Sequence, residues 1–196
     1  MLSFSLNRQP DTQGKDYVWA GIEWANYAAR FATEIKALRA SGVKFTSPLL
    51  KAGGAGVVAK NLDTFYAACG PGCRDPSSSA YINVNAVNAF VGPWNKAGIE
   101  GCRDAASFMT GELKAYPDGL PWFITNWSRL GTSNIDEQAD AMKVLNLFFA
   151  AGSRIQRIYW FGATDYGGAS SNNFLTKVTS SGLTLGQVWK ANCDAL

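Results

Sequence analysis

Strand-like and helix-like hydrophobic periods alternate five times along this chain, and that alternation restricts its fold more than any other feature. Apolar stretches at residues 1–6, 43–50, 80–87, 121–126 and 155–161 have strand length, and each is followed by a segment of helical spacing. The pattern predicts an α/β fold, a parallel sheet of about five βα units with helices packed outside it. At 196 residues the chain has the length of a single domain, 1–196.

Local signals sharpen the elements. Residues 17–40 carry Trp24, Tyr27, Ala28, Phe31, Ile35 and Leu38 on one helical face, with Gly42 as the stop. A second clear helix opens at Asn134 with Glu137 three residues on, encloses Ile135, Ala139, Met142, Leu145 and Phe149, and stops at Gly152. Residues 59–68, 104–115 and 185–193 read as the remaining helices. Pro48 breaks the second strand, and residues 167–173 read as a polar loop. Gly53-Gly54-Ala55-Gly56 is a flexible loop that lacks the Lys-Ser/Thr ending of a phosphate cradle. Sites in parallel α/β folds form where strands end. That directs attention to Gln9 and Asp11, Ser47 and Lys51, Asn83 and Asn85, Asn126 and Trp127, and Trp160 with Asp165.

Composition removes several chemistries. The chain has no His, so Ser-His-Asp catalysis and His-zinc sites are excluded. Any acid–base work must rest on carboxylates, Tyr, Lys or Cys. No cofactor and no metal are expected. A net charge of +3 without a basic cluster gives nucleic acid no electrostatic footprint. No stretch reads as a membrane span or a signal peptide, so a secreted chain of this sequence would be a mature form. Cys69, Cys73, Cys102 and Cys193 make an even count that suits two disulfides, with three connectivities open and Cys69–Cys73 closing a tight Gly-Pro-Gly turn. Seven Trp exceed the needs of a core this size, and surplus aromatics often line ligand surfaces.

Motifs in order along the chain carry a family likeness. They are Leu2-Ser-Phe-Ser-Leu-Asn-Arg-Gln-Pro-Asp11, Thr46-Ser-Pro48, Phe65-Tyr-Ala-Ala-Cys69, Trp122-Phe-Ile-Thr-Asn-Trp127, Tyr159-Trp-Phe-Gly162 and Leu183-Thr-Leu-Gly186. Together they resemble the fungal β-1,3-glucanases of glycoside hydrolase family 128. The resemblance implies a (β/α)₈ barrel whose proton donor lies in a Phe-Asn-Glu-Pro-Asp stretch and whose nucleophile lies in a Thr-Glu stretch. Here Gln9 stands at the first position and Asn126 at the second. Where the family carries an aromatic, His-bearing stretch, this chain has Tyr81-Ile-Asn-Val-Asn-Ala86. Because the likeness starts at the family's fourth strand, it implies a truncated TIM-barrel-like domain with exposed sheet edges that could pair with a second copy or another protein.

Those amides bear directly on chemistry. A retaining glycosidase needs one carboxylic acid to protonate the leaving oxygen and one carboxylate to attack the anomeric carbon. An amide has no proton to give at neutral pH and is a poor nucleophile, yet it still donates and accepts hydrogen bonds as a sugar hydroxyl requires. The leading expectation is therefore a catalytically impaired, secreted or cell-wall protein that binds a β-1,3-glucan polysaccharide or oligosaccharide. Asn7, Gln9, Asn83, Asn85, Asn126, Trp127 and Trp160 would form its groove. An alternative is an active endo-β-1,3-glucanase with displaced carboxylates. Asp11 and Asp165 are the candidates for those carboxylates; Asp11 follows Pro in a turn where an Asp caps the next helix, Glu23 lies on a helix whose solvated face suits a salt bridge, and Asp63 is a further carboxylate that could sit in the groove. A third reading is a structural or assembly protein on a degenerate hydrolase scaffold. Asn126-Trp127-Ser128 also forms an N-glycosylation sequon.

Overall fold

The computed structural model describes residues 3–4, 10, 15–92, 95–130, 134–150, 152–160 and 178–196. Its strands are short where the sequence is polar or broken and longer where β-formers run together. They are β1 (Ser3–Phe4), β2 (Lys44–Phe45), β3 (Leu50–Lys51), β4 (Asn85–Val91), β5 (Trp122–Arg129) and β6 (Ile155–Trp160). Strands β3-β4-β5-β6 form a four-stranded parallel sheet in sequential order, as βαβ connections require. β1 pairs in parallel with β2, Ser3 opposite Lys44 and Phe4 opposite Phe45. The expected α/β architecture is thus observed.

Pro48 explains why the second predicted strand is two pieces. Its ring removes a donor from the ladder, so β2 stops before it and β3 resumes after it. Thr46 still forms a parallel bridge with Val84 between the two pieces. β4 lies several residues later than its apolar pattern suggests. Asn85 and Asn88 look like strand breakers, but both are buried with hydrogen-bonded side chains, and nearly every residue of β4 is buried as in a strand covered on both faces.

The helices are α1 (Tyr17–Arg30), α2 (Ala32–Ala40), α3 (Val57–Cys69), α4 (Gly98–Ala115), α5 (Ile135–Lys143) and α6 (Leu185–Asp194). Residues 17–40 form two helices, separated at Phe31 with φ −113° and ψ 35°. Tyr27 and Phe31 meet at a tilt, ring centres 4.6 Å apart, and Tyr27 and Leu38 are exposed, so the inward face narrows to Tyr17, Ala20, Gly21, Trp24, Ala28 and Ile35. After α2, the Gly42 N–H reaches Arg39 O and the Val43 N–H reaches Leu38 O, with Gly42 at φ 89°, which is a Schellman stop. The helix opened by Asn134 ends at Lys143, earlier than its apolar pattern predicts, and Leu145–Leu147 tightens into a 3₁₀ turn.

The chain divides into two compact units, one of residues 1–87 with 118–123 and the other of 88–117 with 124–196. In the first, α1 packs on α3 across Gly21, where an added Cβ would lie 2.5 Å from Phe65 O. The Cys69–Cys73 disulfide closes the turn after α3 with a Cα–Cα distance of 6.1 Å. In the second, α4 and α6 pack on α5, and Ala139, Met142, Leu185 and Val188 make a buried cluster. No helix among the described residues is long and apolar enough to cross a membrane.

Candidate functional site

β5 carries the residue at the nucleophile position of the resemblance. The Asn126 Nδ2 donates to Asn88 Oδ1 at 2.7 Å, and the Thr125 hydroxyl donates to the same oxygen at 2.6 Å. Both distances and both donors fix the Asn88 amide with its oxygen toward β5 and its NH₂ the other way. Asn88 is nearly buried, while Thr125 and Asn126 are partly exposed. The pair is neutral: an amide faces an amide.

The strand expected at 80–87 ends one residue before Asn88, whereas β4 runs Asn85–Val91 and includes it. The available signal was the repeat Asn83-Val-Asn85-Ala-Val-Asn88, in which polar residues sit inside an otherwise apolar strand. Buried strand polarity demands a partner, and the partners of Asn88 are on β5.

The other predicted groove residues occupy separate surroundings. Asn85 is fully buried at the first position of β4; it accepts from the Tyr66 hydroxyl at 3.0 Å and donates to Asp118 Oδ2 at 2.7 Å. Both of its side-chain ends are spent on holding the fold, so it offers nothing to a ligand. Asn83 accepts from Arg39 Nη1 at 2.5 Å and from the Phe45 N–H at 3.0 Å. Ser47 is buried, its hydroxyl receiving the Ala86 N–H, and the Lys51 N–H reaches the Tyr17 hydroxyl.

Trp127 is a correction to the expected stacking platform. It is 1% exposed, its indole N–H donates to Ala141 O at 2.7 Å, and its ring meets Phe148 edge-on at 4.8 Å. That burial leaves no ring face for a sugar. Trp160, the last residue of β6, packs against the buried cluster of α5 and α6 and meets Trp189 at 5.7 Å. It is partly exposed and belongs chiefly to that helical layer. Asn7, Gln9, Asp11 and Asp165 lie outside the described residues, as does the loop 167–173.

The end of β5 is anchored by a buried arginine. Arg129 Nε pairs with Glu137 at 2.8 Å, its Nη2 donates to Lys96 O at 2.9 Å, and its Nη1 lies 3.8 Å from Cys102 Sγ. Gln138 closes the arrangement by accepting the Arg129 N–H and donating to the Arg129 carbonyl. Burial raises the pKa of the Cys102 thiol, opposed in part by Arg129. Cys102 and Cys193 are both free, so the second disulfide that four cysteines suggest does not form; Cys102 is sealed beneath Arg129 and Cys193 is exposed on α6. The sequon is mostly covered. Trp127 and Ser128 are buried, and the Asn126 Nδ2 that would carry a glycan is bound to Asn88. Among the described residues no group of His, Cys, Asp or Glu is arranged to hold a metal.

Comparison with known proteins decides the family. Residues 8–189 match the family described as glycosyl hydrolase catalytic core. This chain belongs to that family. No curated protein matches the chain by sequence. Among solved structures, this glycosyl hydrolase core is similar to a subgroup II endo-β-1,3-glucanase of glycoside hydrolase family 128 from Sorangium cellulosum, with TM-score 0.59 and 17% identity over 93% of this chain and 66% of that one. It is similar to a subgroup III curdlan-specific exo-β-1,3-glucanase from Blastomyces gilchristii, solved with glucose, with TM-score 0.57 and 17% identity over 94% of this chain and 66% of that one. A subgroup VI exo-β-1,3-glucanase from Aureobasidium namibiae gives TM-score 0.56 and 11% identity, over 96% and 66%. The core therefore has their fold and spans just under two thirds of their length.

Proposed function

We propose that this glycosyl hydrolase core binds a β-1,3-glucan or a related polysaccharide and cleaves it poorly or not at all. The observation that carries the reading is a neutral cluster, Asn126 donating to Asn88 beside Thr125, at the residue that the resemblance aligns with the nucleophile. Its amides and hydroxyl can exchange hydrogen bonds with sugar hydroxyls, but none of them can attack an anomeric carbon at neutral pH. Gln9, at the proton-donor position of the resemblance, adds a second amide to that reading. The β-1,3-glucan assignment is taken from the solved enzymes that share the fold. The Cys69–Cys73 disulfide supports an oxidising, extracellular or cell-wall setting.

The test is calorimetric titration with laminari-oligosaccharides, alongside reducing-end release from laminarin. Binding without release supports the proposal. No heat at millimolar sugar overturns it, and so does release that Asp11→Asn and Asp165→Asn abolish, since that would make displaced carboxylates the catalysts.

A further inference from the structure

A cavity of about 450 Å³ lies in the first unit, lined by Arg39, Gly42, Val43, Lys44, Pro76, Tyr81 and Asn83. None of these residues belongs to the amide cluster on β4 and β5. Its volume falls in the ordinary range for small-molecule sites, whose walls are apolar with a few placed polar groups. Val43 and Pro76 supply apolar wall, and the Schellman stop at Gly42 sets the chain beside it.

The polar lining is one-sided. Arg39 is held rigid: Nη1 donates to Asn83 Oδ1, Nη2 donates to Ser79 O and Tyr81 O, and the guanidinium lies 4.6 Å from the Phe45 ring centre and 5.8 Å from that of Tyr81. All of these partners are neutral. Lys44 makes no ion pair among the described residues, and no carboxylate lines the cavity. Asn83 spends its oxygen on Arg39 and on the Phe45 N–H, which leaves its NH₂ as the uncommitted end. Two cations and a donor thus share one cavity with no counter-charge. Partial burial lowers the Arg39 pKa.

We propose that this cavity binds a small organic anion, a carboxylate- or phosphate-bearing molecule of about monosaccharide size, with Arg39 and Lys44 as the cationic wall and the Asn83 amide as a neutral donor. A neutral glucan lacks the charge this lining calls for, so the site is separate in chemistry from the one proposed for glucan.

The experiment titrates the whole chain with glucuronate, glucose 6-phosphate, inorganic phosphate and glucose, followed by calorimetry and by amide chemical shifts of residues 42–44 and 81–83. Glucuronate or glucose 6-phosphate should bind, the better of the two identifying the anion, while glucose at the same concentration should not. Binding should weaken as salt rises, because one cation is near the surface. Lys44→Gln should reduce affinity about tenfold, a loss worth about 1.4 kcal/mol, while leaving its far-ultraviolet dichroism and any laminari-oligosaccharide binding unchanged. Arg39→Lys, which keeps the charge but loses the fork that ties Asn83, Ser79 and Tyr81 together, should also weaken binding by loosening the cavity wall. Glucose binding as tightly as the anions, inorganic phosphate binding as tightly as the organic ones, or affinity unchanged in Lys44→Gln would each overturn the proposal.

Discussion

At Asn88 one carbonyl oxygen receives two donors. Asn88→Ala would take the acceptor from Asn126 Nδ2 and Thr125 Oγ1 at once. Thr125 and Asn126 are partly exposed and can turn to water, so each lost hydrogen bond costs about 0.5–1.5 kcal/mol; chemical denaturation should show a loss of that order, and glucan affinity should fall with it. Cys102 makes a second residue-scale prediction. Its thiol pKa is raised by burial, so the folded state favours the protonated form. The stability this contributes is complete below the unfolded thiol pKa of about 8.5 and is lost as pH rises through the higher folded value. Melting temperature should therefore fall above about pH 8.5, and Cys102→Ala should flatten that alkaline decline; an unchanged slope would refute the assignment. Neither Asn88 nor Cys102 was legible as a site residue in the sequence. Asn126 was legible because a motif surrounds it, whereas the roles of Asn88 and Cys102 come from partners 38 and 27 positions away.

Elements were more readable than residues, for a physical reason. α6 and β6 fall within a residue of their expected bounds because Thr184 and Gln187 form a capping box and Ile155, Ile158, Tyr159 and Trp160 supply strand formers. The break between α1 and α2 was not readable, since neither Pro nor Gly marks Phe31. Gly21 shows how a helical glycine can look like a defect and be a requirement. On propensity alone Gly21→Ala should stabilise α1 by roughly 1 kcal/mol. The α1–α3 contact decides otherwise: a Cβ there would meet Phe65 O at 2.5 Å, Ala68 Cβ at 2.8 Å and Cys69 N at 2.8 Å. Two of those atoms are backbone and cannot rotate away, so the helices must separate. The expected outcome is a net destabilisation of about 1–3 kcal/mol, read as a lower denaturation midpoint. A midpoint that rises would show that α1 and α3 do not pack this closely.

For the whole molecule, the absence of His turns the functional proposal into a pH argument. No side chain of this chain has an ordinary pKa between about pH 5 and 8, and the cluster of Asn88, Thr125 and Asn126 does not titrate in that range. A glucan held by those groups should bind with the same affinity across the interval, provided the fold is intact. A hydrolase working through a displaced carboxylate pair would behave differently. One carboxyl must be protonated and the other ionised, so its rate would rise and fall with pH as a bell. Calorimetry at pH 5, 6, 7 and 8 with one laminari-oligosaccharide therefore separates the two at the level of the intact chain. Affinity constant within about twofold, which is under 0.5 kcal/mol, supports recognition by amides. A tenfold drop across the interval would place a titrating carboxylate in the groove and sink the neutral-cluster account, even if no product were released.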